Sequence, residues 1–514
     1  MNILPPEISE IVAANYALII ATLIVYFAIF LFITWMAKRQ LVKDTGDYIV
    51  ASRNLGWIVV TFTMYATVLS GVGMAGIPGT IYTVGVPFVV TALSGIIISV
   101  ALLWYFGPRI WILGKEYNFA TPGDLLGDYY QSDTIRMYTV IASLVYNVAY
   151  IVAQLLAGGI LLNVLSGNLI PLQWGVIIIA VVVMLHVVSA GLRGIAWLDF
   201  FNGVLIMFLL ALFGVAIMVA GGGASGVINS LGEIRDRFIT TPGMIGIFTP
   251  SRIYGVAIGL SIGALVLSPS AWIRMYSARG KDQFKKIGVF LLCLWIVSHV
   301  IGTFFIGAYG RIVYPNAENP DFISSLLAVQ VLPMFFASLF LIAVLAAIIS
   351  TADTYMHTLT ATVVRDFLKA IVWPDMDDAR EFRLNRLIII GVAVVGVVMA
   401  LTNPVLITPL AIFAGGITAQ LLPALVGAVT WSRASTPAAL IASGVGMVLT
   451  LIWELQDIQM LPLILPKPLG PAVLPGLAIA FFINVFLFIV ISYMTRPQSP
   501  EQVEKFHGLL ARKL

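Results

Sequence analysis

The chain has 514 residues, of which 60% are hydrophobic and only 10% are charged, and its mean hydropathy is +1.02. A soluble globular protein carries about 25% charged residues, so this composition excludes a chain that is mostly exposed to water. The single cysteine, Cys293, excludes disulfide frameworks and cysteine-based metal sites. The net charge of +4 is small, and no phosphate-binding P-loop motif is present, which argues against transport driven by ATP on this chain.

Apolar stretches of about 20 residues recur along the chain, and each is long enough to cross a bilayer as a helix. The breaks between them are charged or rich in Gly and Pro, as at 220–223 and 373–378. We therefore predict an all-α integral membrane protein with about thirteen transmembrane helices. In chain order the predicted spans are 16–37, 55–83, 86–106, 135–165, 173–190, 197–220, 253–277, 287–310, 329–363, 387–402, 405–430, 437–454 and 472–494.

The placement of Lys and Arg predicts the orientation of these helices, because cytoplasmic segments are enriched in both residues. With the N-terminus outside, all but five of the 28 Lys and Arg fall in cytoplasmic segments, and Arg274 is counted among the cytoplasmic charges. The sequence thus predicts a multi-pass protein of the cell's inner membrane, with its N-terminus outside and its C-terminus in the cytoplasm. The five outer residues are Arg235, Arg237, Arg252, Arg311 and Lys467.

Two predicted helices contain residues that interrupt a helix. Four glycines and a proline fall within 71–79 of the second span, and the seventh span contains the small residues 259–264 followed by Ser268–Ser270. Gly and Pro weaken helices, although small residues also line close helix contacts, so a single such stretch leaves packing as an alternative. Two broken helices in oppositely oriented halves are typical of alternating-access transporters.

This pairing predicts four regions. Residues 1–50 hold an N-terminal extra helix and the first cytoplasmic loop, and residues 431–514 hold two C-terminal helices and a cytoplasmic tail. Between them lie two core repeats of opposite orientation, 51–220 and 221–430.

Four segments of the chain carry motifs of a known family. Residues 66–79 resemble its broken first core helix, and 191–202 resemble its GG-x-x-A-V-x-x-T-D-x-x-Q signature. Residues 268–274 resemble P-x-x-x-x-R, and 346–354 resemble A-A-x-M-S-T-A-D-S. The copies depart from these patterns at Ala190, Leu198, Asn202 and Ile349.

In this order, and over the core of the chain, the motifs resemble those of the sodium:solute symporter family. The resemblance implies a LeuT-type fold, in which two inverted repeats of five helices each contribute one broken helix. It also implies a secondary active transporter, not an enzyme, with Na⁺ as the coupling ion and a small organic solute as the transported partner.

The resemblance also implies a sodium site. It places the carbonyls of Ala66, Leu69 and Ala347 and the hydroxyls of Ser350 and Thr351 around the ion. Sodium is a hard cation that prefers oxygen ligands, and a helix break frees carbonyls for that purpose. The alternative for the two hydroxyls is a hydrogen bond back to their own helix.

Acidic residues inside the predicted spans indicate a second cation or coupling site. Asp199 matches the aspartate of the family signature, and intramembrane carboxylates are usually functional. Asp353 and Thr354 follow Ser350 by three and four residues, so all three can share a helix face. A helix-start role for Asp199 and a structural role for Asp353 are the alternatives.

The predicted substrate residues lie at the first break and on the fourth span. Tyr146, Tyr150 and Gln154 recur at intervals of four and so share one polar face, which either lines a cavity or packs against a neighbour. Sugar-transporting relatives carry a Gln where Gly73 stands, so we expect a small carboxylate or amino acid. The break residues assigned to this site are Ser70, Gly71, Gly73 and Met74.

The leading interpretation is therefore sodium-coupled symport by alternating access, with a monomer as the functional unit, a lipid bilayer around it and no nucleic-acid partner. A proton-coupled or uniport carrier of the same fold, using Asp199 and Asp353, and a membrane-embedded solute sensor are the alternatives. The four histidines match no metal-binding spacing, so each is expected to be a hydrogen-bonded buried residue.

Overall fold

The computed structural model of the protein describes residues 6–40, 45–241, 243–244, 249–402, 414–457, 461–462, 464–466 and 475–514. Within these residues the chain is helical, with a single isolated parallel bridge between Leu55 and Ala278. Nine of the described helices are long and apolar enough to cross a membrane, or ten if one bent pair also counts as a span. The prediction of an all-α membrane protein is confirmed, whereas the count of about thirteen helices stays a prediction.

Ten α-helices lie in the described part of the first half of the chain. They are α1 (Pro6–Ala14), α2 (Tyr16–Gln40), α3 (Thr45–Val50), α4 (Trp57–Val68), α5 (Ile77–Val84), α6 (Val86–Tyr117), α7 (Pro122–Tyr130), α8 (Asp133–Leu165), α9 (Leu172–Ala220) and α10 (Ala224–Ile234).

The second half contains eleven further helices among the described residues. They are α11 (Pro250–Ser261), α12 (Pro269–Ser277), α13 (Gln283–Val313), α14 (Pro320–Val331), α15 (Met334–Val372), α16 (Asp378–Thr402), α17 (Ala414–Val429), α18 (Thr436–Asp457), α19 (Gly476–Met494), α20 (Pro500–Val503) and α21 (Leu509–Lys513). Residues 405–413 of the predicted span 405–430, and 472–474 of the predicted span 472–494, lie outside the described residues.

Both predicted helix breaks are present. Helix α4 ends at Val68, and Leu69 is non-helical (φ −82°, ψ 59°). The π-helical turn Val72–Gly76 continues into α5, and the segment Val72–Val84 lies at 56° to α4. Helix α11 ends at Ser261, and the π-helical turn Ile262–Val266 separates it from α12. Pro269 starts α12 because proline is accepted in the first turn of a helix, where its missing N–H has no intrahelical partner.

A third interruption lies inside α9, which joins the predicted spans 173–190 and 197–220. Gly191 has φ 56° and ψ −164°, so the helix changes direction there although no loop intervenes. A Cβ at Gly191 would lie 2.7 Å from the Tyr48 ring. Both the positive φ and this contact require glycine at position 191.

Helix α15 forms the centre of the molecule and packs against α8 and α9. All of its residues from Phe340 to Thr362 are buried, including polar ones such as Ser350, Thr351 and Asp353. By contrast, α2 and α16 expose large apolar side chains, among them Ile24, Phe32, Leu387 and Val394. Exposed apolar faces of this kind are suited to contact with lipid.

Candidate sodium and substrate site

The first helix break faces the middle of α15. The Thr351 hydroxyl donates to the carbonyl of Thr67 at 3.2 Å and lies 3.4 Å from that of Ala66. Leu69 and Ala347 are fully buried, at the break and one helical turn before Thr351 respectively. The structure therefore brings Thr351 to one predicted carbonyl, that of Ala66, and to the neighbouring carbonyl of Thr67, which was not predicted.

The hydroxyl of Ser350, the other side chain predicted to bind sodium, has a different partner. Ser350 donates to Oδ1 of Asp199 at 2.5 Å, so its hydroxyl faces a carboxylate of α9. The predicted sodium ligands are all carbonyl or hydroxyl oxygens, a donor set that fits a hard monovalent cation. A buried carboxylate one hydrogen bond away adds negative charge without being among the predicted ligands.

Asp199 is fully buried and forms an ion pair with Arg274, whose Nη2 lies 2.9 Å from Oδ2. Thr63 of α4 also donates to Oδ2 of Asp199. Its buried position in α9 and its contacts with α4, α12 and α15 rule out the alternative of a solvated acid at a helix start. The carboxylate instead connects α4, α12 and α15.

Arg274 is the residue at this site that sequence reasoning missed. The guanidinium donates to Thr63 (Nε, 2.9 Å), to Thr67 and Thr354 (Nη2, 2.7 and 2.6 Å) and to the Ser270 carbonyl (Nη1, 3.2 Å). The topology prediction counted it as a charge outside the bilayer, whereas the structure leaves it 1% exposed. The available signal was its position at the end of a predicted span, where an ionisable residue calls for a buried partner.

The residues predicted to form the second cation site contact different partners in this conformation. Thr354 accepts from Arg274, and Asp353 turns away to His186 of α9, with a hydrogen bond between Oδ2 and Nδ1. The side chains of the His186–Asp353 pair are inaccessible to solvent, and the Phe30 ring lies 4.8 Å from the imidazole. The expectation of a hydrogen-bonded buried histidine is confirmed for His186.

The residues predicted at the break to bind substrate lie in the π-helical turn Val72–Gly76 or directly before it. Ser70 Oγ accepts from the Val72 N–H at 3.0 Å, and the Met74 carbonyl accepts from Ser324 of α14 at 2.7 Å. Gly73 contacts the Leu69 side chain, where a Cβ would come within 2.9 Å. The Gly71 N–H donates to Oε1 of Gln154 on α8 at 2.8 Å.

The polar face of α8 packs against α15 at its tyrosines and contacts the first helix break at Gln154. The rings of Tyr146 and Tyr150 lie 4.8 Å apart, and both contact Tyr355 of α15, at 5.6 and 4.7 Å. These tyrosines pack against a neighbour, one of the two alternatives left open by the sequence. Gln154, one turn further along α8, reaches the break itself.

A known family matches most of the chain. The model of the sodium:solute symporter family matches residues 48–446. The sodium/pantothenate symporter of Escherichia coli (strain K12) is 29% identical over 470 residues, which cover 91% of this chain and 95% of the relative. The high-affinity proline transporter PutP of Bacillus subtilis (strain 168) is 25% identical over 435 residues, 80% of this chain and 87% of the relative.

Solved structures show the same fold. The substrate-bound, outward-open structure of a Na⁺-coupled sialic acid symporter has a TM-score of 0.77 at 16% identity, and the match covers 94% of this chain and 98% of that one. The nucleobase-cation-symport transporter Mhp1 in a closed conformation has a TM-score of 0.54 at 16% identity. From the family match over most of its length, the chain belongs to the sodium:solute symporter family and is a multi-pass membrane protein, not an enzyme, that couples Na⁺ to the movement of a small organic solute.

Proposed function

We propose that this symporter binds one Na⁺ between the first helix break and α15 and carries a small carboxylate or amino acid by alternating access. The observation that supports the proposal best is the approach of Thr351 to the carbonyls of Ala66 and Thr67, 3.4 and 3.2 Å away. An ion at this position would join a broken helix of one predicted repeat to an intact helix of the other. Such a link makes the relative position of the repeats depend on sodium.

The proposed ligands are the carbonyls of Ala66, Leu69 and Ala347 and the hydroxyls of Ser350 and Thr351. Binding would require Thr351 to exchange its hydrogen bond to the Thr67 carbonyl for a contact with the ion. Asp199 stays outside this set, because its oxygens already accept from Ser350, Thr63 and Arg274.

A second coupling site is proposed at Asp199, Asp353 and Thr354. Two of these residues contact Arg274, so the guanidinium supplies the positive charge in the present conformation. Another cation would bind there only after Arg274 moves out, and coupling at this site is therefore proposed to depend on the conformation of α12.

The substrate is proposed to bind at Ser70, Gly71, Gly73 and Met74, facing Tyr146, Tyr150 and Gln154. Backbone N–H groups at the ends of broken helices favour an anionic group such as a carboxylate. Pantothenate and proline, for which two relatives are named, both carry a carboxylate. Gly73 offers no hydrogen-bonding side chain where sugar-transporting relatives carry a Gln, which disfavours a sugar.

The proposed arrangement in the membrane places the N-terminus outside and the C-terminus in the cytoplasm of an inner-membrane protein. Core repeats 51–220 and 221–430 would then carry the two breaks in opposite orientations. We propose a monomer as the functional unit, because every group proposed for the sodium and solute sites comes from a single chain.

Uptake by purified protein in sealed liposomes tests the proposal. With labelled pantothenate and labelled L-proline outside, an inward sodium gradient is expected to drive accumulation above the external concentration, and an equal potassium gradient is not. Sodium and solute should also increase each other's affinity by the same factor, about 5- to 150-fold for typical couplings. Equal solute affinity in sodium and in potassium would contradict sodium coupling and favour a proton-coupled or uniport carrier.

A further inference from the structure

Gln154 has a carboxamide whose two ends lie in different environments. Oε1 accepts from the Gly71 N–H at 2.8 Å, at the start of the first break. Nε2 is buried and has no hydrogen-bond partner among the described residues. The residue as a whole is 0% exposed. A buried donor without a partner is unusual, because it has lost its hydrogen bonds to water without replacement.

The orientation of this carboxamide follows from the chemistry of its neighbour. A backbone N–H can only donate, so the Gln154 atom facing Gly71 must be the oxygen. The carbonyl one turn before Gly71 belongs to Thr67 and accepts from Thr351 instead. Gln154 therefore supplies the acceptor that the broken helix does not, and the nitrogen is fixed as the free end.

The contact at Gly71 is close. A Cβ added there would lie 2.7 Å from Gln154 Oε1 and 3.1 Å from Ile348 Cγ1 of α15. The glycine thus allows α8 and α15 to approach the broken backbone. Because Nε2 is bonded to the same carbon as Oε1, the free donor lies beside the residues proposed to bind the solute.

We propose that Gln154 Nε2 is the group that selects the solute, by donating to an acceptor oxygen of a carboxylate. This inference rests on the proposed substrate site and specifies the chemical group that the site recognises. A carboxylate is the strongest acceptor available to a small solute. An alcohol or an amine in the same position offers a weaker acceptor or a competing donor, so the site discriminates against both.

The same carboxamide links solute binding to the break. An acceptor on Nε2 polarises the amide and strengthens the hydrogen bond from Gly71 to Oε1. The Gly71 bond holds the backbone that follows Ala66 and Leu69, the proposed sodium ligands. Solute on one side of Gln154 therefore stabilises the ligand geometry on the other.

Two variants separate these roles. Gln154→Glu keeps an acceptor for the Gly71 N–H and loses the free donor, whereas Gln154→Met keeps the length and loses both. Gln420→Glu is the matched control, because Gln420 is equally buried but its Nε2 already donates to Gly416 and Thr450 and its Oε1 accepts from Asn484. Probes are pantothenate with its alcohol panthenol, L-proline with pyrrolidine, and a series of short monocarboxylates with the matching alcohols.

Thermal stability of each purified variant is measured with every probe in sodium and in potassium, and uptake is measured in liposomes. The parent is expected to respond to at least one carboxylate and not to its alcohol or amine. Gln154→Glu is expected to raise the half-saturating concentration of that carboxylate at least about tenfold, since a site built to hydrogen-bond a substrate loses much affinity without that bond. Its stabilisation by sodium alone is expected to persist, while Gln154→Met weakens the sodium effect as well.

Three results overturn the inference. They are a parent that responds equally to carboxylates and alcohols, a Gln154→Glu variant within twofold of the parent, and a Gln420→Glu control with the same loss. If Gln154→Glu does not accumulate as folded protein, the carboxylate affinity of Gln154→Met decides in its place. Absence of sodium-driven uptake in the parent contradicts the proposed function instead, and the binding measurements still test Gln154.

Discussion

Arg274 and Asp199 form a buried ion pair at the centre of the molecule, and their value to the fold depends on both being present. Arg274 is 1% exposed and Asp199 is 0% exposed. Removing one partner of a buried pair leaves an uncompensated charge and costs about 3–5 kcal/mol. Replacing both by apolar or neutral groups is far less costly, because neither charge then has to be desolvated.

We therefore expect Arg274→Met alone to lower the melting temperature strongly, and the double variant Arg274→Met with Asp199→Asn to recover much of that loss. Thermal unfolding of the purified single and double variants checks this prediction. Additive effects of the two substitutions would show that the pair is not the unit of stability. Uptake is expected to be impaired in both variants that lack Arg274, because Thr67 and Thr354 lose the guanidinium that donates to them.

Thr351 and Ser350 have separable roles at the sodium site. Thr351→Ala removes a hydroxyl 3.4 Å from the Ala66 carbonyl, whereas Ser350→Ala also removes a donor to Asp199. We expect both substitutions, and more strongly their combination, to raise the sodium concentration for half-maximal uptake, by about tenfold or more for each 1.4 kcal/mol of lost binding. The measurement is uptake against sodium concentration at fixed solute. An unchanged sodium dependence in a folded double variant would remove both residues from the site.

Much of this site could be predicted from the sequence because its residues lie in motifs. The motif around Ser350 predicted the approach of α15 to the broken helix, and glycine and proline predicted where that helix breaks. The partners of Asp199 and Asp353 could not be predicted in the same way. Arg274 and His186 lie far from them in the chain, and only the packing of α9 and α12 around α15 determines which buried groups meet.

Helix α9 depends on one glycine for its change of direction. At Gly191 an added Cβ would meet the Tyr48 ring at 2.7 Å, and φ is 56°. We expect Gly191→Ala to destabilise the protein by about 1–3 kcal/mol, the usual cost of backbone strain at one residue. Thermal unfolding is the measurement, and Gly391→Ala on α16 is the control, since no heavy atom lies within 4 Å of a Cβ added there. Equal melting temperatures for the two variants would contradict this explanation of the break.

The interface between α8 and α15 is polar along its length. Ser143 donates to Thr362 at 3.2 Å, and one turn closer to the break lie Asn147 Oδ1 and Thr358 Oγ1, both buried and without hydrogen-bond partners among the described residues. Beyond them come Tyr150 and Tyr355 and then Gln154. Unpaired polar atoms make this interface less stable than an apolar one.

We expect Asn147→Leu to raise the melting temperature slightly or leave it unchanged, while lowering the maximal rate of uptake. The physical reason is that an apolar side chain favours the closed interface and disfavours any state in which water reaches it. Rates and melting temperatures are compared with those of Ser143→Ala. A rate equal to that of the parent would show that this interface stays closed during transport.

Apolar length predicts where the helices lie, and the predicted spans 173–190 and 197–220 correspond to the two parts of α9 on either side of the kink at Gly191. The motif after Ala190 reads as a loop by composition, since it contains Arg193 and two glycines. The short connection lies beside Asp47, which pairs with Arg193 at 2.5 Å and compensates its charge next to the kink. Hydropathy alone gives no information about such a partner.

On the scale of the whole molecule, the chain end at 499–514 packs back onto the face formed by α6 and α7. Phe506 is fully buried and its ring contacts those of Tyr117, Phe119 and Tyr129 at 5.8, 6.2 and 5.1 Å. Lys505 pairs with Asp128 at 2.6 Å. The Phe119 carbonyl also accepts from Arg53 Nη2 at 2.7 Å, and Arg53 lies shortly before α4. The tail therefore packs on a segment that is itself hydrogen-bonded to the start of α4.

This docking is expected to weaken in acid through His507. Burial lowers the pKa of the His507 imidazole below its ordinary value of 6.5, and the Gly427 carbonyl opposes the shift only partly. A group with a lowered pKa is neutral in the docked state, so its contribution is complete above pH 6.5 and is lost as the pH falls below that value. Susceptibility of the tail to protease at pH 7.5 and 5.5 measures docking. His507→Gln, which cannot take up a proton, is expected to abolish the difference, and a parent with no pH dependence would contradict the prediction.

The backbone bridge between Leu55 and Ala278 affects whether α4 and α12 can move independently. The Leu55 N–H donates to the Ser277 carbonyl at 3.0 Å, and the Arg279 N–H donates to the Leu55 carbonyl at 3.0 Å. These two bonds join the start of α4 to the end of α12. Helix α4 precedes the first break and α12 follows the second, and both lie towards the side of the molecule where residues 499–514 pack. A tilt of α4 that left α12 behind would rupture both bonds at a point where Leu55 and Ala278 are buried. We therefore expect α4 and α12 to move together during transport, with Arg274 carried on α12, because a movement of either helix alone would break both bonds.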